Sequence, residues 1–281
     1  MLSVLRGVEV VGTDLFAARE GNPAVARPGV DLGDRAALEA LLGELVPLRG
    51  VIHCAAYTAV DKAETDEERA RHVNAEMPRI VAETCARRGV PLVHVSTDFV
   101  FDGESRRPYR EEDQTRPLSA YGRTKLAGEH EVERAHSGAA IVRTQWLYGP
   151  RGNHFPGTIL GLAATRPELK VVNDQRGSPT STLELAPALW DVLASGQGGL
   201  YHAACEGEAS WYDFARATLE LCGKTTPIQP CTTAEFPRPA RRPAFSVLDC
   251  ARLARLRGRA LKPWRAALGD FLAHEALLAR T

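Results

Sequence analysis

The chain of 281 residues carries no excess of charge of either sign, no long apolar run, no closely paired cysteines and no internal repeat. Each absence removes a class of function. Lys plus Arg equals Asp plus Glu at 35 each, so the formal net charge is zero. Nothing in that balance calls for nucleic acid or an anionic membrane as partner, although a local basic patch can still meet a pyrophosphate. No apolar stretch is long enough to span a bilayer, and the N-terminus lacks the basic-apolar pattern of a signal peptide. The expected compartment is the cytoplasm. The six cysteines, Cys54, Cys85, Cys205, Cys222, Cys231 and Cys250, form no Cys-x-x-Cys pair, and the eight histidines show no metal-ligand spacing. Reduced thiols packed as small hydrophobes, and no resident metal, are expected. Cys54 is expected to be a buried strand-end residue, since no pattern sets a histidine base beside it.

What is present is a chain with 44% hydrophobic residues, ample for one core with a smaller appended lobe. Strand and helix patterns alternate from Val8 to about Thr144, the signature of an α/β fold with a parallel sheet covered on both faces. Strands are expected at Val8 to Asp14, Val51 to Ala55, Leu92 to Ser96 and Ala139 to Thr144. Helices are expected at Asp34 to Leu45, at Thr65 to Arg88 with a break near Pro78, and from Pro117 to about Arg134. Beyond Gly149 the pattern turns irregular, with a short strand at Leu169 to Val172 and helices at Thr182 to Ala194, Trp211 to Cys222 and Pro263 to Ala279. The proline-rich stretch Pro227 to Pro243 reads as an ordered loop over a ligand. Two domains follow, 1–148 for a dinucleotide and 149–281 mainly for substrate, with some elements of the second returning to the sheet.

Two segments carry chemistry. Ser96-Thr97-Asp98 follows an apolar strand, and Tyr121-Gly122-Arg123-Thr124-Lys125 sits in a helical pattern. A spacing of four puts Tyr121 and Lys125 on one helix face, where an ammonium can lower the phenol pKa and ready it to deliver a proton. Thr97 at the strand terminus can hydrogen-bond the same reacting oxygen. Either segment alone is ordinary, because Tyr-x-x-x-Lys occurs in many helices and Ser-Thr-Asp is a common helix cap. Their order, followed by a further strand, is what points to a carbonyl reductase.

Three longer segments then resemble one family. Val51 to Glu64 (VIHCAAYTAVDKAE), Ser96 to Gly103 (STDFVFDG) and Arg143 to Gly149 (RTQWLYG) look like dTDP-4-dehydrorhamnose reductase, an extended short-chain dehydrogenase/reductase, and Asn173 to Thr180 (NDQRGSPT) fits the same family. The match runs from about residue 8 to the C-terminus. It implies a Rossmann-like doubly wound sheet with a smaller C-terminal substrate lobe. The implied activity is NAD(P)H-dependent reduction of the C4 keto group of dTDP-4-dehydro-6-deoxy-L-mannose.

The resemblance departs at the start. A dinucleotide fold opens with a strand and a glycine-rich turn into a helix, whose N–H groups hold the pyrophosphate. Here Met1 to Gly7 reads like the tail of that first helix and Val8 to Asp14 like the second strand. The first strand is central in such a sheet, and its loss leaves two internal edges unpaired. A start codon placed too far downstream is preferred to a natural truncation.

The resemblance implies catalytic roles for Thr97, Tyr121 and Lys125, with Lys125 also bridging the nicotinamide ribose. Substrate contacts fall to Thr97, Asp98 and Trp146, the last as an apolar wall for the sugar. Cofactor contacts fall to Asp14 at the end of the second strand, Asp31 and Leu32 at the adenine, and Ala55, Ala56 and Tyr57 after the next strand. Asp14 favours ribose hydroxyls over a 2′-phosphate, so NADH competes with NADPH. Asn74 is a weaker candidate beside the active site, and Arg241 and Arg242 are candidates to neutralise a pyrophosphate. Two alternatives stay open. One is a non-catalytic nicotinamide-binding partner protein like the methionine adenosyltransferase β-subunit, and the other a reductase or epimerase of another nucleotide sugar. A homodimer is left open.

Overall fold

The structure is a computed structural model that describes residues 9–14, 27–150 and 152–278. Its first half alternates short strands and helices: β1 (Thr13–Asp14), β2 (Arg27–Pro28), α1 (Arg35–Glu44), β3 (Val51–His53), α2 (Val60–Ala63), α3 (Glu67–Arg71), α4 (Met77–Arg87), β4 (Leu92–Thr97), α5 (Ala120–Ala135) and β5 (Ala140–Thr144). The second half holds β6 (Leu147–Tyr148), α6 (Phe155–Ala163), β7 (Leu169–Val172), β8 (Arg176–Gly177), β9 (Thr180–Ser181), α7 (Thr182–Ser195), β10 (Gly199–His202), β11 (Ala209–Ser210), α8 (Trp211–Leu221), β12 (Ile228–Cys231), α9 (Ala251–Arg257) and α10 (Trp264–Leu278).

A parallel sheet in the order β10-β5-β4-β3 organises the molecule. Successive side chains of a strand point to opposite faces, and the core divides accordingly. Val93, Val142 and Tyr201 face α7 and α9, where Leu185, Leu189, Val192 and Leu253 cover them. Leu92 and Ile141 face α1, α4 and α5, meeting Leu38, Leu42, Val81 and Val132. Each such buried aliphatic side chain contributes roughly 1.5–3 kcal/mol. Strand β10 comes from the second half of the chain and pairs with β5. Strands β1 and β2 pair in parallel with each other and, among the described residues, with no strand of this sheet. Met1 to Val8 lie outside the described residues.

Three segments differ from the sequence expectation. The strand expected over Val8 to Asp14 is, among the described residues, confined to Thr13–Asp14. The stretch expected as one helix with a break near Pro78 is α3, a π-helical turn over His72–Glu76, and α4. Pro78 enters at the first turn of α4, where its missing N–H costs nothing, and the irregularity lies just before it. The proline-rich stretch is not wholly loop, because Ile228 to Cys231 form β12 and pair with β7. Proline at position 230 is tolerated on this two-stranded edge.

Candidate active site

Helix α5 begins at Ser119, whose Oγ accepts from the Gly122 N–H at 3.2 Å. Tyr121, Lys125 and Glu129 follow at intervals of four and form one stripe toward the sheet. Lys125 is 2% exposed, and its Nζ donates to the Val95 carbonyl at 2.8 Å. Glu129 accepts from Ser96 Oγ at 2.5 Å and from Arg143 Nε and Nη2 at 2.9 and 2.6 Å, with both charged side chains 4% exposed. The helix is thus pinned to the C-terminal ends of β4 and β5 through polar bonds at two successive turns. Gly128 permits the close packing on the other side, since a Cβ there would strike the Asn74 carbonyl.

Thr97 ends β4. Its hydroxyl donates to Asp98 Oδ1 at 3.0 Å, accepts from the Phe99 N–H at 3.2 Å, and lies beside the Tyr121 phenol. Burial pushes the Tyr121 pKa up to about 12, the Thr97 hydrogen bond opposes that rise and the Asp98 charge adds to it. The expected lowering by Lys125 is not among the causes, because this ammonium turns to Val95 instead. The phenol is therefore held in its protonated, donating form at neutral pH. Burial brings Lys125 down to about 8, while the Glu129 charge acts to keep it protonated.

Around these groups lie buried polar atoms with no partner in the protein. They are Asp98 Oδ2, Thr144 Oγ1 and Gln145 Nε2, at the adjacent ends of β4 and β5. Ser246 lies between two of the residues, and its hydroxyl donates to Gln145 Oε1 at 3.3 Å. Burial pushes the Asp98 carboxyl up to about 6, while the neighbouring Ser246 and Thr97 hydroxyls oppose that rise. An unpaired acceptor and an unpaired amide donor on either side of one serine suit the hydroxyls of a sugar. Trp146 follows Gln145 directly and is half-buried.

Strand β3 ends beside the same site. Cys54 is exposed, which corrects its expected burial, and Ala55 after it is exposed too. The Tyr57 backbone is clamped by Asn74, whose Oδ1 accepts from Tyr57 N at 2.8 Å and whose Nδ2 donates to Tyr57 O and to Thr124 Oγ1. Asn74 is wholly buried in the π-helical turn, so its shown part is to hold this loop against α5. The nicotinamide end of a dinucleotide fits here: small residues admit a close approach, and Lys125 has donors beyond the one given to Val95. No glycine-rich strand-to-helix turn for a pyrophosphate lies among the described residues.

The remaining expected residues are spread out. Asp31 accepts from the Gly33 N–H at 2.8 Å in the turn into α1, and Leu32 packs against the core under that helix. Asp14 closes β1, and its side chain lies outside the described residues. Arg242 is bound by Asp61 through two contacts of 3.0 Å. Arg241 is exposed and lines a cavity of about 460 Å³ with Arg116 and Arg123. Sequence reasoning missed Glu129, Arg143, Gln145, Ser246 and Trp211. Glu129 was within reach, standing four residues after Lys125 on an expected helix, but its partners come from two separate strands.

The RmlD substrate binding domain model matches residues 5–277. A dTDP-4-dehydrorhamnose reductase of Mycobacterium tuberculosis (strain CDC 1551 / Oshkosh) is 43% identical, over 92% of this chain and 88% of its own. A dTDP-4-keto-6-deoxy-D-glucose reductase of Streptomyces niveus is 40% identical over 85% of each chain. Among solved structures, dTDP-4-dehydrorhamnose reductase of Bacillus anthracis in complex with NADP superimposes with a TM-score of 0.84 at 34% identity, covering 91% of this chain and 92% of that one. With the family model matching residues 5–277 and these relatives covered over most of their length, the chain belongs to the dTDP-4-dehydrorhamnose reductase family.

Proposed function

We propose that this protein is a cytoplasmic NAD(P)H-dependent reductase acting on the C4 keto group of a dTDP-linked 6-deoxyhexulose, with dTDP-L-rhamnose as product. The observation that carries it is the grouping of Thr97, at the C-terminal end of β4, with Tyr121 and Lys125 on α5 beside it, where ligands collect in open α/β sheets. A bound nicotinamide supplies hydride to the substrate carbonyl carbon. Tyr121 gives its proton to the oxygen that becomes alkoxide, and its high pKa brings it closer to that of an alcohol product. Thr97 donates a hydrogen bond to the same oxygen once it turns from Asp98, and Asp98 in its protonated form can donate back to Thr97. Lys125 holds the nicotinamide ribose and adds positive charge beneath the site. Ala55, Ala56 and Tyr57 would line the cofactor, with Asp31, Leu32 and Asp14 toward its adenosine end.

Asp98 and Trp146 meet the sugar, one by hydrogen bonds and the other by its ring. In this division residues 1–148 carry the reacting groups and residues 149–281 mainly receive the nucleotide sugar. The test is cofactor oxidation by purified protein on addition of dTDP-4-keto-6-deoxy-mannose, beside the Tyr121→Phe variant. Turnover that the variant loses supports the reading. Equal turnover in both proteins refutes the role of Tyr121, and a folded protein that binds NADPH without oxidising it favours a non-catalytic partner.

A further inference from the structure

Trp146 has a φ of +48°, and no other non-glycine residue among the described ones has a positive φ. A bulky side chain seldom takes this left-handed conformation, and it persists only where the surroundings over-determine it. Two neighbours do so. The Trp146 ring lies flat on Trp211, with centroids 3.7 Å apart and planes within 8°. Its five-membered edge reaches over Gly177, where an added Cβ would stand 2.6 Å from Trp146 Cε2 and 2.7 Å from Nε1. Gly177 is thus required for space rather than for its own backbone angle.

Trp211 is itself fixed from three sides. Its Nε1 donates to Gln175 Oε1 at 3.1 Å, and Gln175 Nε2 donates in turn to Thr233 Oγ1 at 2.9 Å in the proline-rich segment. Phe155 packs against its ring at 4.7 Å. It stands at the first position of α8, whose start is locked by a reciprocal cap between Ser210 and Asp213. The two indoles therefore make a rigid slab anchored in the C-terminal lobe and delivered to the end of β5 beside Gln145.

We propose that Trp211 and Gly177 are positioning residues for nucleotide-sugar recognition, holding Trp146 in the left-handed conformation that presents its ring to the substrate. The inference rests on the reading of Trp146 as a sugar contact. Without the stack, Trp146 relaxes to an ordinary backbone angle, and substrate affinity falls while the reacting groups stay intact.

The experiment compares Trp146→Ala, Trp211→Leu, Trp211→Phe and Gly177→Ala, reading three quantities. These are the KM for the dTDP-sugar against kcat, the Kd for NADPH, and the ultraviolet circular-dichroism couplet that two stacked indoles produce. Trp211→Leu is expected to abolish the couplet and raise the sugar KM about fivefold to tenfold, the range set by the loss of one aromatic pair. The NADPH Kd and kcat are expected to stay within about twofold at that same scale of energies. Gly177→Ala is expected to act in the same direction, and Trp211→Phe to restore part of the affinity because a ring remains to stack. Loss of the couplet with an unchanged sugar KM in Trp211→Leu overturns the inference. If Trp146→Ala raises the KM and neither Trp211→Leu nor Gly177→Ala does, the inference alone fails. If Trp146→Ala leaves the KM unchanged, the reading of Trp146 as a sugar contact falls, and the inference falls with it.

Discussion

The face of the sheet beneath α5 and the lobe built on α8 hold their parts of the site by opposite means. Under α5, toward the C-terminal ends of the strands, the buried groups are polar: Ser96 and Arg143 both bond Glu129, and His53 and His94 lie Nδ1 to Nδ1 at 2.9 Å across neighbouring strands. In the lobe they are rings, with Tyr148, Phe155, Trp211, Phe214, Trp264 and Phe271 in mutual contact. Polar networks fix direction as well as distance, which proton transfer needs. Aromatic packing fixes a surface, which suits recognition of a sugar ring. The lesson is that the reacting groups and the receiving wall can fail separately.

The largest expected effect separates chemistry from stability. Tyr121→Phe removes the proton donor and leaves the ring in place against Phe99, with centroids 5.5 Å apart. Turnover should fall by about 10²–10⁴-fold, the worth of a positioned general acid. The denaturation midpoint should scarcely move, which urea unfolding followed by circular dichroism checks. A large drop in stability beside the drop in turnover would show the phenol to be a structural member of the polar network.

Arg143→Ala and Phe214→Ala test the two modes of holding directly. The first removes the ion-pair partner of the buried Glu129 carboxylate, leaving it the Ser96 hydroxyl and the more distant Lys125 charge, and should cost about 3–5 kcal/mol. The second empties a wholly buried ring position and should also cost about 3–5 kcal/mol. What distinguishes them is the partner. Adding Glu129→Gln to Arg143→Ala removes the unpaired charge and should recover part of that loss, whereas adding it to Phe214→Ala breaks an intact pair and should deepen the loss. Urea midpoints of the single and double variants measure this, and the same response in both backgrounds would break the contrast.

How much of this was legible in the sequence follows the same division. The α5 side could be read because its signals are local: a spacing of four, and a Ser-Thr-Asp at the end of an apolar run. Strand β10 was missed because two glycines precede it and only Leu200 and Tyr201 are apolar, too little for a period. The lobe resisted for a physical reason. Trp146 and Trp211 are 65 positions apart on unrelated elements, and no periodicity ties a ring to the ring that it will stack on. Likewise Glu129 takes Arg143 from a different strand than Ser96, and a buried ion pair of this kind is set by topology. The resemblance supplied what spacing could not, naming Trp146 before any geometry did, but it gave no sign of the strained backbone.

Asp98 gives a smaller effect with a definite sign. Its carboxyl is pushed up to about 6 by burial, against an ordinary value of 3.8. Between those values the native state keeps a proton that the unfolded chain has released, so this group's contribution to stability falls as pH rises from about 4 to about 6 and is level above that. The shift corresponds to about 3 kcal/mol. His53 and His202, both brought down to about 3 chiefly by burial, act oppositely and weaken the fold as pH falls below 6.5. The difference between wild type and Asp98→Asn isolates the carboxyl. That difference should shift in favour of the Asn variant by about 3 kcal/mol between pH 4 and pH 7, read from urea midpoints, and a pH-independent difference would mean that Asp98 is solvated.

The smallest expected effect lies where the two regions meet. Asp61, in α2, accepts from both terminal nitrogens of Arg242 at 3.0 Å and from the Ala240 N–H at 3.2 Å, tying the proline-rich segment to the loop after β3. The side chains are 30% and 23% exposed, so solvent screens the pair and Asp61→Asn should cost only about 1 kcal/mol of stability. Its functional consequence should be selective, because the same segment carries Thr233, which holds Gln175 and through it Trp211. Loosening that tie should raise the KM for the dTDP-sugar by a few-fold, as expected for about 1 kcal/mol, and leave NADPH affinity unchanged. A variant that weakened cofactor binding instead would place the proline-rich segment over the nicotinamide and make the polar and aromatic regions one site held in common.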